Sequence, residues 1–97
     1  MHARVSTISG SPDQVEAGIS DFRETVMPWV KGQGGRGGIL LVDRETGKAV
    51  AVTMWTDEEA MRQSEAEANE HRRRVSDEME SAAPPIVERY EVAVLDV

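Results

Sequence analysis

Few residues of this chain could do chemistry near neutral pH, and they are quickly named. The sequence holds two histidines, His2 and His71, two tryptophans, Trp29 and Trp55, and no cysteine. Without cysteine there is no disulfide, no thiolate nucleophile and no thiolate-bound metal. His71 titrates near neutrality and is the natural candidate for a base, while its neighbour Arg72, or Arg36 in a glycine-rich stretch, could hold an oxyanion. Trp55 and Trp29 offer flat faces for stacking an aromatic ligand, and Phe22 and Met27 add apolar wall. Ala49, Ala51 and Thr53 alternate in register with Trp55 and are small enough to leave room for such a ligand. Together these residues suit the oxygenation of a substrate that, once deprotonated, donates an electron to dioxygen itself. The protein then supplies a dry pocket, a proton acceptor and groups that stabilise the anion.

Each of these residues also has a purely structural reading. Trp55 directly precedes a helix cap, where an apolar residue packs back onto the first turn. Small residues on a strand let a helix approach closely. His71 lies at the margin of a charged helix, and the triplet Arg72-Arg73-Arg74 is flanked by acids, so a solvated face with Arg72 paired to Glu65 or to a partner chain accounts for it. His2 and His71 form no metal motif, and the glycine-rich stretch lacks the spacing and the Lys-Ser/Thr pair of a phosphate loop. No metal and no cofactor are expected.

The elements that must position these residues fit into 97 residues, on a prior of roughly 150 per domain a single domain spanning 1–97. Eleven Lys and Arg against 18 Asp and Glu give a formal charge of −7, which excludes the clustered positive field a nucleic-acid backbone requires. With 39% hydrophobic and 30% charged residues the composition is globular. The first residues lack a signal-peptide pattern and no window approaches about 18 apolar residues, so the expectation is a cytoplasmic protein with no membrane partner. A chain of this size buries only about two thirds of its surface, which favours oligomerisation.

Periodicity divides the chain into six elements. His2–Ser9 reads as a strand. Ser11-Pro12-Asp13-Gln14 is a capping box opening a helix whose apolar stripe is Val15, Ile19, Phe22, Val26 and Val30, with an end or kink at Pro28. Residues 32–38 read as a flexible connection into the strand Ile39–Val42, and Glu45-Thr46-Gly47 as a hairpin loop with Gly47 in the left-handed position. The return strand is Lys48–Trp55. Thr56-Asp57-Glu58-Glu59 is a second capping box, with Thr56 as cap, for a helix running to about Ser81 on the thin apolar stripe Met61, Ala68, Val75 and Met79. Pro84-Pro85 stops it, and Ile86–Val97 forms the last strand. The order β-α-β-β-α-β with right-handed crossovers predicts an α+β, ferredoxin-like fold: a four-stranded antiparallel sheet with two helices on one face. Strands that are apolar on both sides then require a cover for the other face, and a second copy of the chain is the simplest one.

Three runs of sequence carry a family resemblance: Gly37-Gly38-Ile39-Leu40-Leu41-Val42-Asp43, then Glu45-Thr46-Gly47-Lys48, then Trp55-Thr56-Asp57-Glu58-Glu59-Ala60. They resemble the antibiotic-biosynthesis monooxygenase-like group of dimeric α+β barrel proteins, and the element order follows that group over essentially the whole chain. The resemblance implies a homodimer whose two sheets form a barrel, with a ligand cavity in each subunit between sheet and helices. Members of the group include oxygenases of aromatic polyketides that use neither metal nor flavin, and haem-degrading enzymes. The haem-degrading pattern places an Asn in the first strand, a Trp at the end of the third and a His on the second helix. Trp55 matches the Trp, but the one Asn is Asn69, and the histidine position falls near Glu65, more than a turn before His71. Ser6 or Arg4 could replace the first-strand Asn as the group that orients a substrate. Two functions are therefore expected. One is a cofactor-independent monooxygenase acting on a flat aromatic or quinonoid molecule; the other is a non-catalytic dimeric domain that binds a small molecule or serves in stress.

Overall fold

A computed structural model describes residues 1–97. β1 (His2–Ser9) lies between β3 (Lys48–Trp55) and β4 (Ile86–Glu91), and β2 (Gly35–Val42) pairs with the far edge of β3. All pairings are antiparallel and the order is β2-β3-β1-β4, the expected ferredoxin-like arrangement, with the sheet open rather than closed on itself. The first crossover comprises α1 (Val15–Asp21), a π turn at Phe22–Val26 and α2 (Met27–Gly32). α3 (Glu58–Gln63) and α4 (Glu65–Glu78) make the second. No helix is long and apolar enough to cross a membrane.

Strand register assigns the two faces. Arg4, Ser6 and Ile8 of β1 stand opposite Thr53, Ala51 and Ala49 of β3, which in turn oppose Gly38, Leu40 and Val42 of β2, and this face meets the helices. The other face carries Val5, Val52, Ile39, Leu41, Ile86 and Tyr90, and the last four of these are about half exposed or more. On the helix side Ile8, Ala49, Val75 and Met79 form one apolar cluster and Val30, Trp55 and Met61 another, at opposite ends. Gly47 takes a φ of 83°, as the hairpin requires, while Asp43 Oδ1 accepts from the Glu45 and Thr46 amides.

Several boundaries differ from the sequence expectation. Ser11 makes no side-chain cap, and Pro12–Gln14 is a 3-10 turn. The helix does not end at Pro28: the preceding π turn lets the Met27 amide reach back to the Phe22 carbonyl, so the chain absorbs the proline and stays helical to Gly32. Residues 35–38 are not a loop but the bulged start of β2, where Gly38 lies so close to the Val52 carbonyl that a Cβ would collide with it. The second helix is capped by Asp57, not Thr56; its carboxylate accepts from the Glu59 amide at 2.9 Å. That helix breaks at Ser64, whose hydroxyl donates to the Met61 carbonyl at 2.7 Å, and it ends at Met79 rather than Ser81. The final strand stops at Glu91. Val92 still donates to the Met1 carbonyl, but β1 offers nothing further to pair with, and residues 92–97 lie outside the sheet.

Candidate functional site

Between the helix-facing side of the sheet and the two crossovers lies a cavity of about 60 Å³. Its floor is Arg4, Ser6, Ile8, Ala49, Ala51 and Thr53, so the alternation of small residues on β3 does open space above the sheet. Val15, Ile19, Phe22, Val26 and Trp29 form the wall from the first crossover, and Ala68, His71, Arg72, Val75 and Met79 the wall from the second. The amphipathic spacing of both helices therefore delivers an apolar lining, interrupted only at one place. No group of three or more metal-ligating side chains is present.

Four of the seven residues expected at the site line this cavity: Phe22, Trp29, His71 and Arg72. Three do not. Trp55 is fully buried against Val30 and Met61, with Nε1 donating to Thr53 Oγ1 at 3.0 Å and the Arg4 guanidinium 5.2 Å from its ring centre. It is a packing residue beside the floor, on the same face of β3 as Thr53, and presents no face to a ligand. Met27 packs against that same buried cluster, and Arg36 projects from β2 into solvent.

The interruption in the apolar lining is a chain of cations. Arg4 is 2% exposed, and its guanidinium donates to the Met61 carbonyl, to Ser64 Oγ and to Glu65 Oε1 at 3.0–3.1 Å. Glu65 is held more firmly by Arg89, which donates to both carboxylate oxygens at 2.7 Å. Those bonds, with Arg4 adding its charge, pull the Glu65 carboxyl down to about 2. Arg72 stands 3.8 Å from Glu65 Oε2 and makes no hydrogen bond to it. Burial, and repulsion from Arg4 and Arg89, lower the pKa of Arg72.

His71 is fixed from two sides. Its ring lies 4.5 Å from that of Trp29, whose Nε1 donates to Glu67 at 2.9 Å. Arg74 Nη2 lies 3.0 Å from His71 Nδ1, and Arg74 is itself gripped by Asp21 through bonds of 2.9 and 2.6 Å. A guanidinium can only donate, so Nδ1 accepts and the neutral ring carries its proton on Nε2. Burial, then the nearby Arg74 charge, lower the His71 pKa and keep the ring neutral at pH 7. In this state His71 is a hydrogen-bond donor through Nε2 and not a base through Nδ1.

Sequence reasoning missed Asp21 and Arg74, which meet from separate helices and leave no local signal. Arg4 carried one: a charge at an inward position of a strand whose alternate residues, Ser6 and Ile8, are also buried.

No protein-family model matches the chain. Two uncharacterised Mycobacterium tuberculosis proteins, Rv2557 and Rv2558, are 33% and 35% identical to it over 96 residues, 98% of this chain in both cases. The chain spans only about two fifths of those relatives, 42% and 40% of their length. Among solved structures, the monooxygenase from the gene ActVA-Orf6 of Streptomyces coelicolor, in complex with nanaomycin D, superposes with a TM-score of 0.74 at 17% identity, covering 99% of this chain and 92% of that one. A candidate antibiotic-biosynthesis monooxygenase from Deinococcus radiodurans gives 0.72 at 14% identity, covering 100% and 98%. Rv0793 from Mycobacterium tuberculosis gives 0.61 at 16%, covering 99% and 96%. The chain has the fold of the antibiotic-biosynthesis monooxygenase-like proteins, as its sequence resemblance implied.

Proposed function

We propose that the chain is a cofactor-independent monooxygenase of a flat hydroxylated aromatic or quinonoid molecule, working as a homodimer closed across the open face of the sheet. The observation that carries this reading is the apolar cavity between sheet and helices whose polar groups, Arg4, Ser6, Thr53, His71 and Arg72, converge on it. The fold shared with a protein named as a monooxygenase supports it. Half-exposed Ile39, Leu41 and Tyr90 on the open face support the dimer.

A simple phenol such as 1-naphthol illustrates the chemistry. Its phenol proton passes to solvent, the anion gives an electron to dioxygen, the two radicals join at the ring carbon para to the oxygen, and the resulting peroxide takes a proton back from solvent. The hydroperoxide then loses water to leave 1,4-naphthoquinone. One oxygen atom stays in the product and the other leaves as water, so no outside reductant is needed. Arg72 holds the phenolate oxygen, and the Nε2 proton of His71 stabilises charge that develops on oxygen. The cavity is smaller than the ~150 Å³ void that admits benzene, so binding requires the wall to give way. Phe22 and Val26 sit on the π turn, an irregularity found frequently at functional sites, and theirs is the wall we expect to move.

A second reading, a binding domain without chemistry, is favoured by one observation: Arg74 occupies the only free lone pair of the only ring nitrogen base in the cavity. Dioxygen uptake by protein mixed with 1-naphthol in chelated buffer, alongside an NMR titration, separates the two. Uptake with shifts at Phe22, Trp29 and Val75 supports the oxygenase, and shifts without uptake support the binder.

A further inference from the structure

Phe22, Val26, Trp29 and His71 each line the cavity and each keep part of their surface in water, so the wall is one side chain thick along the seam where the first crossover meets α4. Two polar ties cross this seam. Arg74 of α4 grips Asp21 of α1 through bonds of 2.9 and 2.6 Å, and Trp29 of α2 donates through Nε1 to Glu67 of α4 at 2.9 Å. His71 stands between the ties and belongs to both: its ring lies 4.5 Å from that of Trp29, and its Nδ1 accepts from Arg74 Nη2 at 3.0 Å. The same Nη2 donates to Asp21, so one guanidinium nitrogen joins α1 to the imidazole. That junction holds only while Nδ1 keeps its lone pair. A proton on Nδ1 sets an N–H against the N–H of Arg74 and brings two positive charges together, so one of the two groups has to leave. If Arg74 moves, the tie to Asp21 goes with it; if His71 moves, the ring contact with Trp29 does.

We propose that this seam is the entrance to the cavity and that His71 is its pH-sensitive clasp: neutral, it ties the first crossover to α4; protonated, it lets the two part and admits the ligand. This rests on the reading of the cavity as the ligand site and deepens it by naming what regulates access. The charged groups facing His71 are Asp21 from α1 and Glu67, Glu70 and Arg74 from α4, with Arg4 and Arg72 sharing the cavity lining. The carboxylates favour the imidazolium, but burial first and Arg74 second outweigh them and hold the His71 pKa below its ordinary 6.5. In the parted seam both burdens are gone, so the open state takes up the proton more readily than the closed one. Opening is therefore favoured as pH falls through 6.5 toward the lowered value of the closed state, and suppressed above it. Glu78, 3.7 Å from Arg74 and raised in pKa by burial and by Asp21, is a competing titrant that the test has to separate.

The test compares pH 7.5 with pH 5.5 by two measurements on the whole chain. The first needs no ligand: hydrogen exchange of the Trp29 indole proton, taken as protection relative to free tryptophan at the same pH. The second is the association rate of 1-naphthol, a phenol that stays protonated throughout this range, followed by stopped-flow tryptophan fluorescence. An open state that titrates near the ordinary histidine value gains up to about tenfold in population at pH 5.5, so protection falls and association quickens by up to that factor. The 15N shifts of the His71 ring titrate over the same range. His71→Gln, whose amide oxygen still accepts from Arg74 and takes up no proton, keeps the slow values at both pH values, while Glu78→Gln keeps the pH dependence. The Ala51 amide, in the middle of β3, stays protected, which separates parting of the seam from loss of the fold. Protection and association that do not change with pH, a change that survives His71→Gln, or loss of Ala51 protection in step with Trp29 overturns the clasp and leaves the cavity as the ligand site. A fall in Trp29 protection with no binding of 1-naphthol at either pH supports the clasp and overturns the reading of the cavity as an aromatic site.

Discussion

Glu65 and Arg72 lie seven residues apart on α4 and form the ion pair the sequence suggested, at 3.8 Å, while the hydrogen bonds to Glu65 come from Arg89 of β4 and Arg4 of β1. That outcome could not be seen locally, because it depends on which strand carries the stronger donor to the same point. Lowering the pH therefore acts through Glu65. Its folded pKa of about 2 lies below the ordinary 4.5, so its ion pairs stabilise the fold fully above the ordinary value and are lost as pH falls toward 2. Denaturation midpoints followed from pH 6 down to pH 2 should fall across that window, and Glu65→Gln should start lower at pH 6 and flatten the dependence. The tryptophans separate in the same way. Trp55→Phe removes the bond to Thr53 and some buried volume and should cost about 1–3 kcal/mol in stability with little effect on 1-naphthol affinity. Trp29→Ala should weaken binding of 1-naphthol several-fold in addition to its cost in stability, because Trp29 lines the cavity as well as packing on the cluster of Val30, Trp55 and Met61, and Trp55 does not line it. Both residues look alike in sequence; only the neighbours of Trp55, namely Val30 and Met61, decide its role.

Element order, the two alternating faces of β3 and both apolar helix stripes were legible, since period-two and period-3.6 patterns and turn residues act locally. The π turn was not, because Phe22 and Val26 keep helical spacing whether the turn between them is α or π. Nor was the break at Ser64, which is stabilised by Arg4 from sixty residues away. The end of α4 shows a related gap. Ser81 donates to the Ser76 carbonyl and Glu80 to that of Asp77, a Schellman closure that places Glu80 at a φ of 53°, where glycine is the usual occupant. Glu80→Gly should therefore stabilise the chain by about 1 kcal/mol, raising the thermal midpoint by roughly 4–8 °C. A fall in the midpoint would mean that the Glu80 side chain holds the helix end by some contact of its own.

For the whole molecule, the open sheet face is the feature that a single chain leaves unexplained. Ile39, Leu41, Ile86 and Tyr90 are all at least half exposed there, and Val94 and Leu95 extend beyond the sheet as further apolar surface. The proposed homodimer buries this face, so light scattering should report two chains at micromolar concentration, and Leu41→Lys should yield monomers. Two chains retained in that variant would move the interface elsewhere. The sequence indicated that something covers this face from its double-sided apolar strands, and indicated where a ligand could sit from the small residues of β3. It named Arg72 as a cation for the site but not the meeting of Arg4 from β1 and Arg89 from β4 on Glu65 beside it, which no local pattern encodes.

The central claim is that this chain adds oxygen from dioxygen to an aromatic anion held in its cavity. Incubation of purified protein with 1-naphthol under 18O2, followed by mass spectrometry of the quinone, tests it most directly. The account predicts one 18O atom in 1,4-naphthoquinone, formed faster than in buffer alone and slowed at least tenfold by Arg72→Met. Quinone formed no faster than in buffer, or equally fast with Arg72→Met, would contradict it.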